Sequence, residues 1–163
     1  LDEPAFKAST EVIDVNEVLH NEVKKRQNSS ALKWNISTSG LSHSILGDRQ
    51  LLYRLFKNAF DNASRFARHT VSVDMSVKGS LLEIQISDDG PGLTDEQIKN
   101  FGVRRTFQRR QVNEGSASLG LGSVIMKAVA ELHGGKVEIS NAESGGKIAG
   151  AQLKITLPLS QNG

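Results

Sequence analysis

Three short stretches of this chain hold side chains that could do chemistry. The first is Asn58, Asn62, Arg65 and Phe66. An amide oxygen is a hard ligand suited to Mg²⁺, a guanidinium suits phosphate, and Phe66 adds an apolar surface. The second is Asp88-Asp89-Gly90-Pro91-Gly92, where a carboxylate follows directly on an extended segment. The two glycines let the backbone pass close to a neighbour. The third is Leu119-Gly120-Leu121-Gly122-Ser123. Glycines opening a helix would offer free N–H groups and the positive dipole end to an anion. Each stretch also has a plain structural explanation when taken alone. An Asn caps neighbouring backbone, Asp-Asp-Gly-Pro-Gly is good turn chemistry, and a lone Gly-x-Gly is a weak signal.

The elements that must position these residues follow from periodicity. Asp48 is a suitable N-cap for a helix over 48–66, with Leu51, Leu52, Leu55, Phe56, Ala59 and Ala63 at helical spacing. On it, Leu51, Leu55, Asn58 and Asn62 share one stripe that turns from apolar to amide. An amide on a core-facing stripe must find partners or cost about 1–3 kcal/mol. Val71, Val73, Met75 and Val77 alternate, Gly79 turns the chain, and Leu82, Ile84 and Ile86 alternate again, which predicts a hairpin ending at Asp88. A short helix is expected over 94–100. A functional or mobile loop is expected over 102–118. A helix should open at Gly122 or Ser123 and end at Gly134-Gly135, before a closing hairpin through Ala151–Leu157. Upstream, the pattern predicts a linker over 1–11, a strand over 12–15, a helix over 16–26 and extended pieces over 31–37 and 44–47. Strands paired locally and mixed with helices predict an α/β (α+β) two-layer sandwich rather than a doubly wound sheet.

Composition sets outer bounds. The chain has 163 residues, the size of one domain. With glycine counted in and tyrosine out, about 45 % of it is apolar, an ordinary globular share. It has no cysteine, which excludes a disulfide scaffold, a thiol nucleophile and a zinc–thiolate site. A net charge of +2 does not by itself argue for nucleic acid, and no nucleic-acid partner is expected. Arg104, Arg105, Arg109 and Arg110 lie within seven residues. They read first as a solvated loop, next as a cationic lid over a triphosphate and least as a nucleic-acid contact.

Together and in this order, the motifs resemble the ATP-binding catalytic domain of sensor histidine kinases, relatives of gyrase, the heat-shock chaperone of the same fold and the mismatch-repair ATPase. Asn58-Ala-Phe-Asp-Asn62 resembles the N box, and Asp88-Asp-Gly90-Pro-Gly92 the first glycine box. Phe101 and Phe107 fall near the F box, and Gly120-Leu121-Gly122 resembles the second glycine box. Two departures stand out: Ser118 replaces a family glycine, and the F-box aromatics are irregularly spaced. The resemblance implies a Bergerat-type fold, with a mixed, mainly antiparallel sheet of about five strands covered on one face by three helices. It implies ATP and Mg²⁺ as ligands, with Asn62 and Asn58 on the metal and Arg65, Arg104 and Arg105 toward the phosphates. Asp88 would accept from the adenine amine, with Gly90 and Gly92 beneath the base and Phe66 lining the site. Gly120, Leu121 and Gly122 would meet the phosphates.

The related ATPases carry a water-activating Glu where this chain has Asn58, which cannot take a proton at neutral pH. The resemblance therefore implies transfer of the γ-phosphoryl to a His on a separate dimerisation domain, for relay to a response regulator. It also implies a homodimeric, cytoplasmic part of an inner-membrane receptor. None of His20, His43, His69 and His133 lies in a phosphoacceptor motif. His133, at a helix end, reads as a cation-capable group suited to the dipole. An anti-sigma-type protein-serine kinase and a nucleotide-binding module without transfer are the alternatives.

Overall fold

The computed structural model describes residues 10–38, 43–103 and 114–160, the side chains of 114–120 excepted. The Arg cluster over 104–110, Phe107 and most of the expected linker lie outside the described residues. The chain opens with β1 (Thr10–Asp14), α1 (Val15–Ser29), β2 (Lys33–Ser37) and β3 (Ser44–Asp48). Next come α2 (Arg49–Phe66), β4 (Thr70–Lys78), β5 (Leu81–Asp88) and the short α3 (Asp95–Lys99). It closes with α4 (Glu114–Leu132), β6 (Lys136–Ser144) and β7 (Lys147–Pro158).

Five strands form one sheet in the order β2-β4-β5-β7-β6. Only β2 and β4 run parallel; the other neighbours are antiparallel. Helices α1, α2 and α4 pack on this sheet as a second layer. The mixed, mainly antiparallel two-layer architecture is the one expected. Both hairpins close through two-residue loops, Gly79-Ser80 and Gly145-Gly146. Gly145 and Gly146 have φ of 61° and 80°, the left-handed pair that a tight hairpin with native twist requires.

The α2 helix forms as its sequence dictates. The Asp48 carboxylate accepts from the Leu51 N–H at 3.1 Å, and Leu52, Leu55, Phe56, Ala59, Phe60 and Ala63 are buried. They meet Val71, Val73, Ile84, Ile86 and Ile155 of the sheet in one core. This places the C-terminal half of α2 over the ends of β5 and β7, where the candidate residues sit.

Three expectations change. First, β1 and β3 pair as a separate antiparallel ribbon, from Thr10↔Asp48 to Asp14↔Ser44. The first strand thus begins inside the stretch read as linker, and α1 is capped by Asp14 rather than Asn16. Second, α4 begins at Glu114, so the long loop ends there and the helix does not start at Gly122. The run 114–121 holds no proline, and each interior glycine costs only about 1 kcal/mol relative to Ala. Third, the structural role of His133 is larger than a helix-end contact. Its Nε2 accepts from the Asp48 N–H at 3.0 Å, and its Nδ1 faces the Val129 carbonyl at 2.8 Å. One imidazole thereby ties the end of α4 to the start of α2.

Candidate functional site

Asp88 ends β5 with only 9 % of its surface exposed. Its Oδ1 accepts from the Gly90 N–H at 2.8 Å and from the Ala151 N–H at 3.3 Å. Those two bonds leave Oδ2 as an acceptor. Burial pushes the Asp88 carboxyl above the usual carboxylate range; the two N–H groups oppose this, and the Asp89 charge adds to it. Asp88 lines a small cavity of about 30 Å³ together with Ala59, Asn62, Phe66, Ile86 and Leu93. That is far below the size of a ligand pocket, which runs to about 300–1,000 Å³, so a planar base would have to part the rim.

Asn62 reaches the same cavity from α2. Its Nδ2 is buried and has no hydrogen-bond partner among the described residues. Amide O and N exchange places by a half-turn, so the cavity holds an amide group that a ligand could satisfy from either side. Asn58, one turn earlier, donates its Nδ2 to the Arg54 carbonyl at 2.9 Å. Its Oδ1 lies 3.1 Å from where a Cβ on Gly122 would stand. A side chain there would press on the Asn58 amide, which would have to give by a few tenths of an ångström, so Gly122 lets α4 lie close to Asn58. Gly120, Leu121 and Gly122 lie inside α4, where N–H groups point back along the helix. The expectation of free N–H groups at a helix start does not hold for them. Leu121 is 61 % exposed.

Gly90 lies so close to the Phe66 carbonyl that a Cβ would overlap it. Gly92, at φ 83°, sits between Ile148 and Asn141. The ring of Phe66 packs with Leu93, Ala151, Ile98 and Ile139. Arg65 projects from the last turn of α2 and is exposed. Arg104 and Arg105 lie outside the described residues. Among the described residues no cluster of three His, Cys, Asp or Glu side chains could hold a metal by itself. A cation here would therefore rely on amide oxygens together with oxygens of a ligand. Mg²⁺ suits such a donor set because it keeps few protein ligands.

Several positioning residues escaped the sequence reading. Asp89 turns the other way, and its oxygens accept from the Arg68 N–H at 2.8 Å and the His69 N–H at 3.0 and 3.1 Å. Ser123 is fully buried, and its Oγ accepts from the Gly102 N–H at 2.9 Å, fixing the chain beyond α3 to α4. Gly150, at φ 149°, brings β7 against the Asp88 backbone, where a Cβ would overlap the Asp88 carbonyl oxygen. Its place in Ser-Gly-Gly-Lys-Ile-Ala-Gly, just before an alternating strand, is the one signal that could have been read.

A family model for histidine kinase-, DNA gyrase B-, and HSP90-like ATPases matches residues 47–161. The chain is 27 % identical over 158 residues to the signal transduction histidine-protein kinase BaeS of Escherichia coli K12, covering 96 % of this chain and 33 % of BaeS. It is 37 % identical over 107 residues to the sensor protein QseC of the same organism, covering 64 % of this chain and 23 % of QseC. The chain thus spans about a third or less of these curated relatives. Among solved structures, the mycobacterial sensor histidine kinase MprB aligns with a TM-score of 0.74 at 24 % identity, over 91 % of this chain and 97 % of that one. Full-length ShkA in complex with AMPPNP aligns at 0.76 and 19 % identity, over 96 % of this chain and 32 % of that one. At these identities the structural likeness is one of fold. The match over 47–161 takes in α2, the Asp88 loop and the closing hairpin, and the chain belongs to the histidine kinase-, DNA gyrase B-, and HSP90-like ATPase family, among relatives that are sensor histidine kinases.

Proposed function

We propose that this chain binds Mg-ATP and is the catalytic domain of a sensor kinase, passing the γ-phosphoryl to a His on a separate dimerisation domain. The observation that carries the reading is the pairing, in one cavity, of the spare Asp88 oxygen with the unpartnered Asn62 amide. Asp88 would accept from the exocyclic amine of adenine. It is held for this by two backbone N–H groups, so orienting it at the moment of binding costs little. Gly90 and Gly92 would let the base lie close to the backbone, with Phe66 and Leu93 excluding water. Asn62 and Asn58 would hold Mg²⁺ through their amide oxygens. Bound with the triphosphate, Mg²⁺ would offset charge on the transferring group. Arg65, Arg104 and Arg105 would contact the phosphates. Gly122, and with it the Gly120–Leu121 stretch, would border the phosphate end by letting α4 lie against Asn58.

Asn58 is also why transfer to a His is favoured over hydrolysis. A primary amide takes no proton at neutral pH, so the residue one turn before Asn62 cannot activate water. The partners would then be the chain's own dimerisation domain, in a homodimer, and a response regulator. Among the described residues no helix is long and apolar enough to cross a membrane. Placement as the cytoplasmic part of an inner-membrane receptor rests on the relatives.

The test is calorimetric titration with a non-hydrolysable ATP analogue, with and without Mg²⁺, on this chain and on Asn62→Ala. Micromolar to sub-millimolar binding, strengthened by Mg²⁺ in the wild type alone, is the expected result. Transfer of ³²P from ATP to an added dimerisation domain then completes it. No binding by a demonstrably folded sample overturns the reading. Binding without transfer reduces it to a nucleotide-binding module.

A further inference from the structure

β6 is an edge strand of the sheet, and Val137, Ile139 and Asn141 alternate along one of its faces. Val137 and Ile139 pack against the core. Asn141 is polar, and both of its amide groups are used on one residue of another segment. Its Oδ1 accepts from the Leu93 N–H at 2.7 Å, and its Nδ2 donates to the Leu93 carbonyl at 2.9 Å. A primary amide carries the donor and acceptor of a peptide unit, so this side chain stands in for a strand neighbour. A bulge between Ala142 and Glu143 follows at once and bends the strand where that reach is needed.

The cross-strand partner of Asn141 is Ala151. The Ala151 N–H is one of the two donors that hold Asp88 Oδ1. One cross-strand pair therefore grips both ends of the 88–93 loop: Ala151 takes the entry at Asp88, and Asn141 takes the exit at Leu93. Between them, Gly92 has no room for a side chain, since its Cβ would stand 2.9 Å from Asn141 Oδ1. Leu93 is 6 % exposed and forms a wall of the Asp88 cavity.

We infer that Asn141 is a positioning residue, setting through Leu93 the height of the glycine loop and hence the width of the cavity that receives the base. The inference rests on the nucleotide reading only for what the cavity holds. The clamp itself stands on the two hydrogen bonds to Leu93.

The experiment compares wild type, Asn141→Ala and the isosteric Asn141→Asp at neutral pH. Each is titrated with adenosine and with a non-hydrolysable ATP analogue well below its Tm, and Leu93 amide exchange is followed by NMR. Both variants should lose on the order of tenfold in affinity, by the same factor for both ligands, because the wall moves and the phosphate contacts do not. Asn141→Ala should also lose Leu93 protection, whereas Asn141→Asp can still accept from the Leu93 N–H and loses only the bond to its carbonyl. Asn141→Asp is the sharper variant: it keeps the volume and one acceptor but sets a carboxylate oxygen against the Leu93 carbonyl. Wild-type affinity in both variants, with Leu93 protection kept in Asn141→Ala, would reduce Asn141 to a space filler and overturn the inference. So would a loss confined to the ATP analogue. If wild type binds neither ligand, the nucleotide reading fails, and Leu93 exchange still decides whether the clamp exists.

Discussion

Asp88 and Asp89 are neighbours in sequence and face two different regions of the fold. Asp88 looks into the cavity under α2, where burial raises its pKa and two backbone N–H groups occupy only one oxygen. Asp89 looks toward the turn between α2 and β4. Burial there is slight, and N–H groups of His69, Thr70 and Arg68 hold its carboxyl below the usual range. Both of its oxygens are used by the chain itself. Two identical side chains thus divide the work. Asp89 fastens the joint that carries α2, and Asp88 keeps one acceptor for something the chain does not supply. Asp88 is the last residue of β5 and Asp89 the first beyond it, and the turn that the chain makes there sends the two carboxylates to different neighbours.

The largest effect that would break this contrast is expected from Asp88→Asn. The amide oxygen can still accept from Gly90 and Ala151, but its NH₂ would meet the adenine amine donor to donor. Affinity for the ATP analogue should fall by roughly tenfold to a hundredfold, the range of a hydrogen bond to a charged group. The Tm should stay level or rise, because a buried charge has been removed. A clear drop in Tm with affinity intact would reverse the assignment of the two carboxylates. Asp89→Ala should do the opposite. Its loss leaves the turn N–H groups without their acceptor and should cost about 1–2 kcal/mol, seen as a lower denaturant midpoint. Affinity of the folded fraction should stay within about threefold of wild type.

The smallest and most diagnostic effect is that of pH. Because the Asp88 pKa is raised in the folded state, the protonated form favours folding, and the penalty of its charge is fully present only above that pKa. Any Tm advantage of Asp88→Asn at neutral pH should therefore close as pH falls through the Asp88 pKa, above the ordinary 3.8. Wild-type nucleotide affinity should weaken over the same window, with no matching step in Asp88→Asn. Asp89 has a lowered pKa, and so does Asp61 of α2, where burial is outweighed by the Arg26 and Lys57 cations at 2.7 and 3.1 Å; their stabilisation is present above 3.8 and is lost as pH falls through those lower values. Acid unfolding should thus follow the loss of nucleotide binding rather than precede it.

What could be read in the sequence was local. The Asp48 cap, the stripe from Leu51 to Asn62, the two hairpins and the glycines after Asp88 all act within about one element of themselves. Short-range spacing was enough to state them. The start of α4 was misread for a related reason: glycines that signal a helix N-terminus in isolation also permit two helices to approach, and only the partner helix decides between these uses. The acceptor role of His133 is not legible locally because it depends on the Asp48 N–H, 85 positions away.

The layered α/β class, the order of the elements and the side-chain types gathered at the candidate site are legible in the chain itself. The tertiary structure alone decided which of those residues keep a free hydrogen-bonding group. Asp88 keeps Oδ2 because the Ala151 N–H, 63 positions on, takes the other oxygen with Gly90. Asn62 keeps its amide because nothing in α2, β5 or β7 reaches it. Asn141 does not, because the exit of the glycine loop lies within its span. Side-chain type is written in the chain, but whether a donor or acceptor is already satisfied depends on which distant backbone the fold brings beside it.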